Sequence, residues 1–192
     1  VGGDAVGHRA ALAVCASGMK ISDVNALPAE AFVAQFGGLY EHSPWVAEGA
    51  LQARPFADVD AMLLAFAQIV RSVGLRAQLA LVRAHPELGH RAGIDPDLTE
   101  HSASEQASAG LDRLTPAEYE RFRGLNDAYR ARFSMPFVIC VRKVAAPGKA
   151  AKTVIMDEME RRLAGTPEQE LTEALTQIDA IAGLRLKDLV TA

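Results

Sequence analysis

Two tetrapeptides, Thr115-Pro116-Ala117-Glu118 and Thr166-Pro167-Glu168-Gln169, constrain this chain more than any other feature. Each offers a hydroxyl to cap a helix and a proline whose fixed φ suits the first helical residue. An acid or amide follows three residues after the cap and can bond back to it. Behind the first lie Tyr119, Phe122, Leu125, Asn126, Tyr129 and Phe133 at helical spacing. Behind the second lie Leu171, Leu175, Ile178, Ile181, Ala182 and Leu186. A third stripe, Val59, Met62, Leu63, Phe66, Ile69, Val70 and Val73, has the same 3.6-residue period and starts at Asp58 or its neighbour.

Shorter segments fit the same pattern. Leu27-Pro28 opens a helix carrying Phe32, Val33, Phe36 and Leu39. Residues 41–45 (EHSPW) read as a loop, with Trp45 a core plug, and a short helix is predicted over 46–52. After the break at Arg54-Pro55-Phe56 and the long stripe, Gly74 separates a helix over 75–84, with Leu75, Leu79 and Val82 on one face. Pro86 ends it. A loop over 86–102 is long for a compact domain, and loops of that length are usually functional or disordered. A short helix over 104–109 closes at Gly110, and another spans about 150–163 with Val154, Ile155, Met159 and Leu163 inward. Residues 137–141 (FVICV) are strand-like in composition without a convincing partner, so they read as a buried extended or helix-entry segment.

The prediction is an all-α, single-domain bundle of about seven to nine helices over residues 19–192. Residues 1–18, rich in Gly and Ala, are expected to be a disordered or non-core N-terminal extension.

Charge narrows the partners. Lys+Arg 20 against Asp+Glu 24 gives a formal net charge of -4, which excludes a nucleic-acid binder that relies on charge alone. No stretch approaches the roughly 20 apolar residues of a membrane span. Cys15 and Cys140 are too few for a disulfide scaffold, and Cys140 reads as core. The chain ends in LVTA, without a peroxisomal SKL-type signal, and a cytoplasmic location is expected.

Chemistry concentrates at three residues, each open to two readings. His85 closes a helix immediately before Pro86, where the helix carbonyls favour an imidazolium. It is either a simple cap or an acid or base titrating near neutrality. Glu105 lies three residues after Ser102, so it either completes a capping box or faces a ligand. Arg185, between Leu184 and the inward Leu186, either snorkels to water or pairs with an anion. His85, Glu87, His90 and His101 lack the spacing of a helical zinc site, and neither a Walker loop nor a dinucleotide fingerprint is present. No metal or cofactor is expected.

These residues sit in blocks that occur in one order: EHSPW (41–45), RPF (54–56), LALVRAHPELG (79–89), SASEQASAGLD (102–112), LNDAYRARFSMPFVICVR (125–142), EMERRL (158–163) and IAGLRLKDLV (181–190). Together they resemble the 2-oxo-4-hydroxy-4-carboxy-5-ureidoimidazoline (OHCU) decarboxylases, which form (S)-allantoin at the end of urate degradation. The resemblance implies that His85 is the catalytic histidine and Glu105 its partner carboxylate. It also implies that Pro86, Ser102 and Gln106 line or contact the substrate, and that Arg185 holds an anionic or carbonyl part of it. The backbone of Phe137, Val138 and Ile139 would hydrogen-bond the ring and ureido groups. One departure is Ser134-Met135, where the pattern carries glycine and then an aromatic or aliphatic residue.

The implied protein is a cofactor-independent lyase of purine metabolism, cytoplasmic and homodimeric, taking a small ureidoimidazoline and binding neither nucleic acid nor membrane. Composition alone leaves two competitors: a non-enzymatic helical interaction module and a metal-dependent helical hydrolase.

Overall fold

In the computed structural model, which describes residues 18–89 and 98–191, the chain runs β1 (Met19–Lys20), α1 (Ile21–Ala26), α2 (Ala29–Phe36), α3 (Trp45–Ala50), α4 (Val59–Ser72) and α5 (Leu75–Arg83). It continues through α6 (Glu100–Ser108), α7 (Pro116–Phe133), α8 (Ala151–Arg162), α9 (Pro167–Leu189) and β2 (Val190–Thr191). Short 3-10 turns follow α3 and precede α8. The architecture is all-α, as expected. Residues 1–17, which make up nearly all of the expected extension, lie outside the described residues, as does His90.

Both Thr-Pro signals open helices as read. The Thr115 hydroxyl accepts from the Glu118 amide at 3.3 Å, while the Thr115 amide donates to Glu118 Oε2 at 2.8 Å. The Thr166 and Gln169 pair repeats this at 3.3 and 3.0 Å. Asp58 caps α4 through the Ala61 amide, 2.7 Å away. These caps satisfy amides that have no partner within the helix, and they depend only on residues three apart.

The 23-residue α9 runs through the core, with α4, α5 and α7 packed on it, α3 on α4 and α8 on α7. All six α9 positions predicted inward are buried. Met62, Phe66 and Val70 of α4 are buried, with the Phe66 ring against Phe32 and Tyr40 at 6.2 and 6.1 Å, and Tyr129 stands edge-on to Phe137 at 5.2 Å. Residues 137–141 are extended and buried. Side chains take the place of a neighbouring strand: Arg162 Nη1 donates to the Val138 carbonyl at 2.9 Å, and the Cys140 amide donates to Gln177 Oε1 at 3.0 Å. Cys140 is core, as expected.

Three readings are corrected. Helix α6 starts at Glu100, not Ser104, because Thr99 rather than Ser102 is its cap, the Thr99 hydroxyl accepting from the Ser102 amide at 3.3 Å. Leu75, read as inward, is 62% exposed, whereas Val82 is buried as read and Leu81 is buried beside it. Trp45 is the first residue of α3 and only half-buried. Neither α1 nor the parallel pairing of β1 with β2 was predicted. Runs of two to six residues carry no readable period, and this pairing joins residues far apart in sequence. Among the described residues no helix is long and apolar enough to cross a membrane.

Candidate active site

His85 follows the last turn of α5, its amide donating to the Val82 carbonyl at 3.1 Å. Pro86 prevents the helix from continuing. The imidazole turns back, with Nδ1 3.0 Å from the Leu81 carbonyl. A carbonyl only accepts, so Nδ1–H is the donor and the neutral ring keeps its lone pair on Nε2. Burial pushes the His85 pKa down to about 4, against the opposing Leu81 bond and Glu41 charge. This corrects the expectation of an imidazolium near neutrality. With the side chain enclosed, desolvation outweighs the carbonyls at the helix end.

The segment after His85 is held from two sides. Gln106 of α6 accepts from the Gly89 amide at 3.2 Å and donates to the Glu87 carbonyl at 3.3 Å. Asn126 of α7 donates to the Leu88 carbonyl at 2.9 Å. Gly89 has φ +77 and lies against Phe122, where a Cβ would come within 2.9 Å of the ring. Only glycine suits that conformation in that space.

Arg185 of α9 is 4% exposed and does not snorkel. Its Nε and Nη2 donate to Glu105 Oε1 and Oε2 at 3.0 and 2.8 Å, a bidentate pair. Nη2 also donates to the Ser102 hydroxyl at 3.2 Å, and Nη1 to Glu41 Oε2 at 2.7 Å. Glu105 therefore faces Arg185 from within α6 and closes no capping box. Ser102 donates its own proton to Glu41 Oε1 at 2.8 Å.

One cleft joins these groups. It is lined by His85, Pro86, Leu88, Ser102, Glu105, Gln106, Phe137, Val138, Ile139, Val141, Ile181 and Arg185. All nine residues singled out from the sequence are on this wall. Two of them are already committed elsewhere: the Gln106 amide holds residues 87 and 89, and the Val138 carbonyl receives Arg162. The backbone over 135–139 makes no bond to other backbone among the described residues. Ser134-Met135, the departure from the family pattern, lies in a neighbouring cleft that shares His85 with Arg83, Glu87 and Arg130. Ser134 has φ +56, a conformation that favours glycine.

Glu41 was missed by the sequence reading. It is 1% exposed, follows the fully buried Tyr40, and opens the EHSPW block. A tight turn, with His42 at φ +48 and the Ser43 amide donating to the Tyr40 carbonyl at 3.0 Å, turns the chain just after it. Among the described residues no group of three or more His, Cys, Asp or Glu is arranged to hold a metal ion, and His101 lines a different cleft.

Residues 25–187 match the family model described as OHCU decarboxylase. The chain is 42% identical over 170 residues to the 2-oxo-4-hydroxy-4-carboxy-5-ureidoimidazoline decarboxylase of Haloferax volcanii, covering 88% of this chain and 95% of that one. It is 40% identical over 171 residues to the enzyme of the same name from Halalkalicoccus jeotgali, covering 89% and 92%. A crystal structure of (S)-allantoin synthase superposes with a TM-score of 0.68 at 28% identity. That match covers 90% of this chain and 54% of the other, longer one.

Proposed function

Because the chain belongs to the OHCU decarboxylase family, we infer that its cleft is where 2-oxo-4-hydroxy-4-carboxy-5-ureidoimidazoline loses CO2 to give (S)-allantoin. The protein is a lyase of urate degradation. What supports the assignment of roles is the meeting in one cleft of His85, just past the end of α5, with Glu105 of α6 and Arg185 of α9.

The substrate supplies its own electron sink, since the ring carbon beside the carboxylated one is doubly bonded to nitrogen. Breaking the bond between C4 and the carboxylate sends its electron pair into a C4=C5 bond. The C5=N pair moves to nitrogen, which takes a proton. The C4 hydroxyl then loses its proton as its oxygen becomes a carbonyl, and C5 gains one on a single face. One proton enters for every CO2 that leaves.

His85, neutral and with a free lone pair on Nε2, receives the hydroxyl proton. Its low pKa makes the imidazolium a strong acid that returns the proton readily, and C5 is the adjacent atom. Glu105 has acceptor capacity beyond its two bonds to Arg185, enough for the ureido or ring N–H groups. Arg185 braces Glu105 and faces a substrate oxygen. Two carboxylates against one guanidinium leave the trio with one net negative charge, which disfavours the substrate carboxylate and is relieved when neutral CO2 departs.

The reaction needs no cofactor in this reading, and the protein acts as a cytoplasmic homodimer without nucleic-acid or membrane partners. Freshly generated OHCU followed by circular dichroism tests the chemistry. Rapid, chelator-insensitive appearance of optically active allantoin is expected; racemic product at the uncatalysed rate overturns it.

A further inference from the structure

Glu41 is not on the cleft wall, yet it is the most enclosed of the charged groups around it. Its two oxygens have divided tasks. Oε2 accepts from Arg185 of α9 at 2.7 Å. Oε1 accepts from Ser102 at 2.8 Å and from the hydroxyl of Thr99, the cap of α6. One carboxylate in the 40–43 turn thus joins the first turn of α6 to α9. Arg185 does not need it for neutralisation, because Glu105 already engages the guanidinium through two bonds.

Fixing Nη1 does something else: it leaves Nε and Nη2 facing Glu105. Fixing Thr99 and Ser102 sets the position of α6, which carries Glu105 and Gln106. Gln106 in turn holds residues 87 and 89 just after His85. A long, flexible arginine side chain is aimed only if its second end is held.

We propose that Glu41 is the positioning residue of the decarboxylation site, clamping Arg185 and the first turn of α6 so that Glu105 faces the substrate. This rests on the roles given above to His85, Glu105 and Arg185. Glu41 also contributes negative charge near His85. The other charged groups facing that ring are Glu105 and Arg185, with Arg83, Glu87 and Arg130 across the neighbouring cleft.

The test uses the full chain with Glu41→Gln and Glu41→Asp, read by steady-state kinetics, thermal melting and NMR titration of the His85 ring. Misplacement of reacting groups by about 1 Å reduces rates by up to about 10²-fold. Glu41→Gln is expected to lower kcat about 10- to 100-fold while KM moves less than about threefold, and to shift the His85 titration to lower pH. Glu41→Asp keeps the charge but withdraws the clamp, so kcat falls at least about fivefold while the His85 titration stays in place. If the Gln variant does not fold, this split in the Asp variant decides the matter.

A kcat within about twofold of the parent in a folded variant overturns the proposal. So does a loss explained wholly by the unfolded fraction. An unmoved His85 titration in Glu41→Gln, with the parent active, also overturns it. Failure of the underlying reading looks different: His85→Ala would then turn over OHCU at the parent rate.

Discussion

Among the described residues two arginines are buried, each 4% exposed and each gripping a carboxylate through two bonds, yet their surroundings differ. Arg162 pairs with Glu170, donates to the Val138 carbonyl at 2.9 Å, and stacks on the Phe137 ring with its guanidinium carbon 4.5 Å from the centroid. Both side chains are 3% exposed, and the charges cancel. Arg185 has two carboxylates, of which Glu105 is 14% exposed, and Arg185 and Glu105 line a cleft beside the neutral His85 imidazole, with Glu41 behind them. Burial and hydrogen bonding are equal in kind. What sets the second cluster apart is the surplus carboxylate and the histidine on its cleft; Arg162 and Glu170 line a cleft as well, but one without a histidine. A cluster with no surplus holds the fold, and here it props the back of the 137–141 segment whose front faces the cleft.

The sharpest test of this contrast is kinetic. His85→Ala and Glu105→Gln should each lower kcat by about 10²–10⁴, measured with freshly generated OHCU. If either variant stays fully active, the distinction between the clusters collapses. Next in size is Glu170→Gln, which leaves Arg162 buried with a missing partner. Removing one member of such a pair costs about 3–5 kcal/mol, so the melting temperature should fall by roughly 10 °C. A melting temperature within about 2 °C of the parent would show that the Arg162 pair does not hold the fold.

A third test uses pH. Burial holds the His85 pKa down at about 4 in the folded chain, against about 6.5 for an ordinary histidine once unfolded. Between those values the unfolded state holds more protons, so stability rises with pH through this window. The contribution is fully present above pH 6.5, amounts to about 3 kcal/mol, and fades as pH falls towards 4. Urea titrations at pH 7 and pH 4.5 should show the loss in the parent and a smaller one in His85→Leu. Equal losses would mean that the ring is not buried neutral.

The smallest effect lies outside both clusters. Ser134→Gly relieves a left-handed residue at the end of α7 and should stabilise the fold by about 0.5 kcal/mol after glycine's added chain entropy. Destabilisation would show that the Ser134 side chain contributes more than its backbone strain costs.

What could be read from the sequence follows the range of the interaction. The Thr115 and Thr166 caps were legible because each is closed by a residue three positions away. The α4 and α9 stripes were legible because burial repeats with the helix period. Ser102 was misread as a cap for the complementary reason. Thr99 and Ser102 are both competent hydroxyls, and both donate to Glu41, 58 and 61 residues earlier in the chain, a partner that local spacing does not reveal. Arg185 could be seen on an apolar stripe, but its partners lie 80 and 144 residues away, and no spacing rule connects them. His85 was located correctly and its protonation misjudged, since enclosure by α6 and α9 is a property of the packed fold.

The parallel pairing of Met19 with Val190 and Lys20 with Thr191 brings the beginning and end of the described fold together, and the Thr191 hydroxyl donates to the Gly18 carbonyl at 3.2 Å. Strands so paired lie about 4.8 Å apart, so a linker of a few residues would join one end to the other. The bundle is then a ring that can be opened elsewhere, for instance in the turn at residues 146–149, where Gly148 already has φ +74 and no helix would be cut. In such a permuted chain Arg185 would precede Glu41 by a few dozen residues instead of following it by 144, turning the longest-range contact of the site into one of its more local ones.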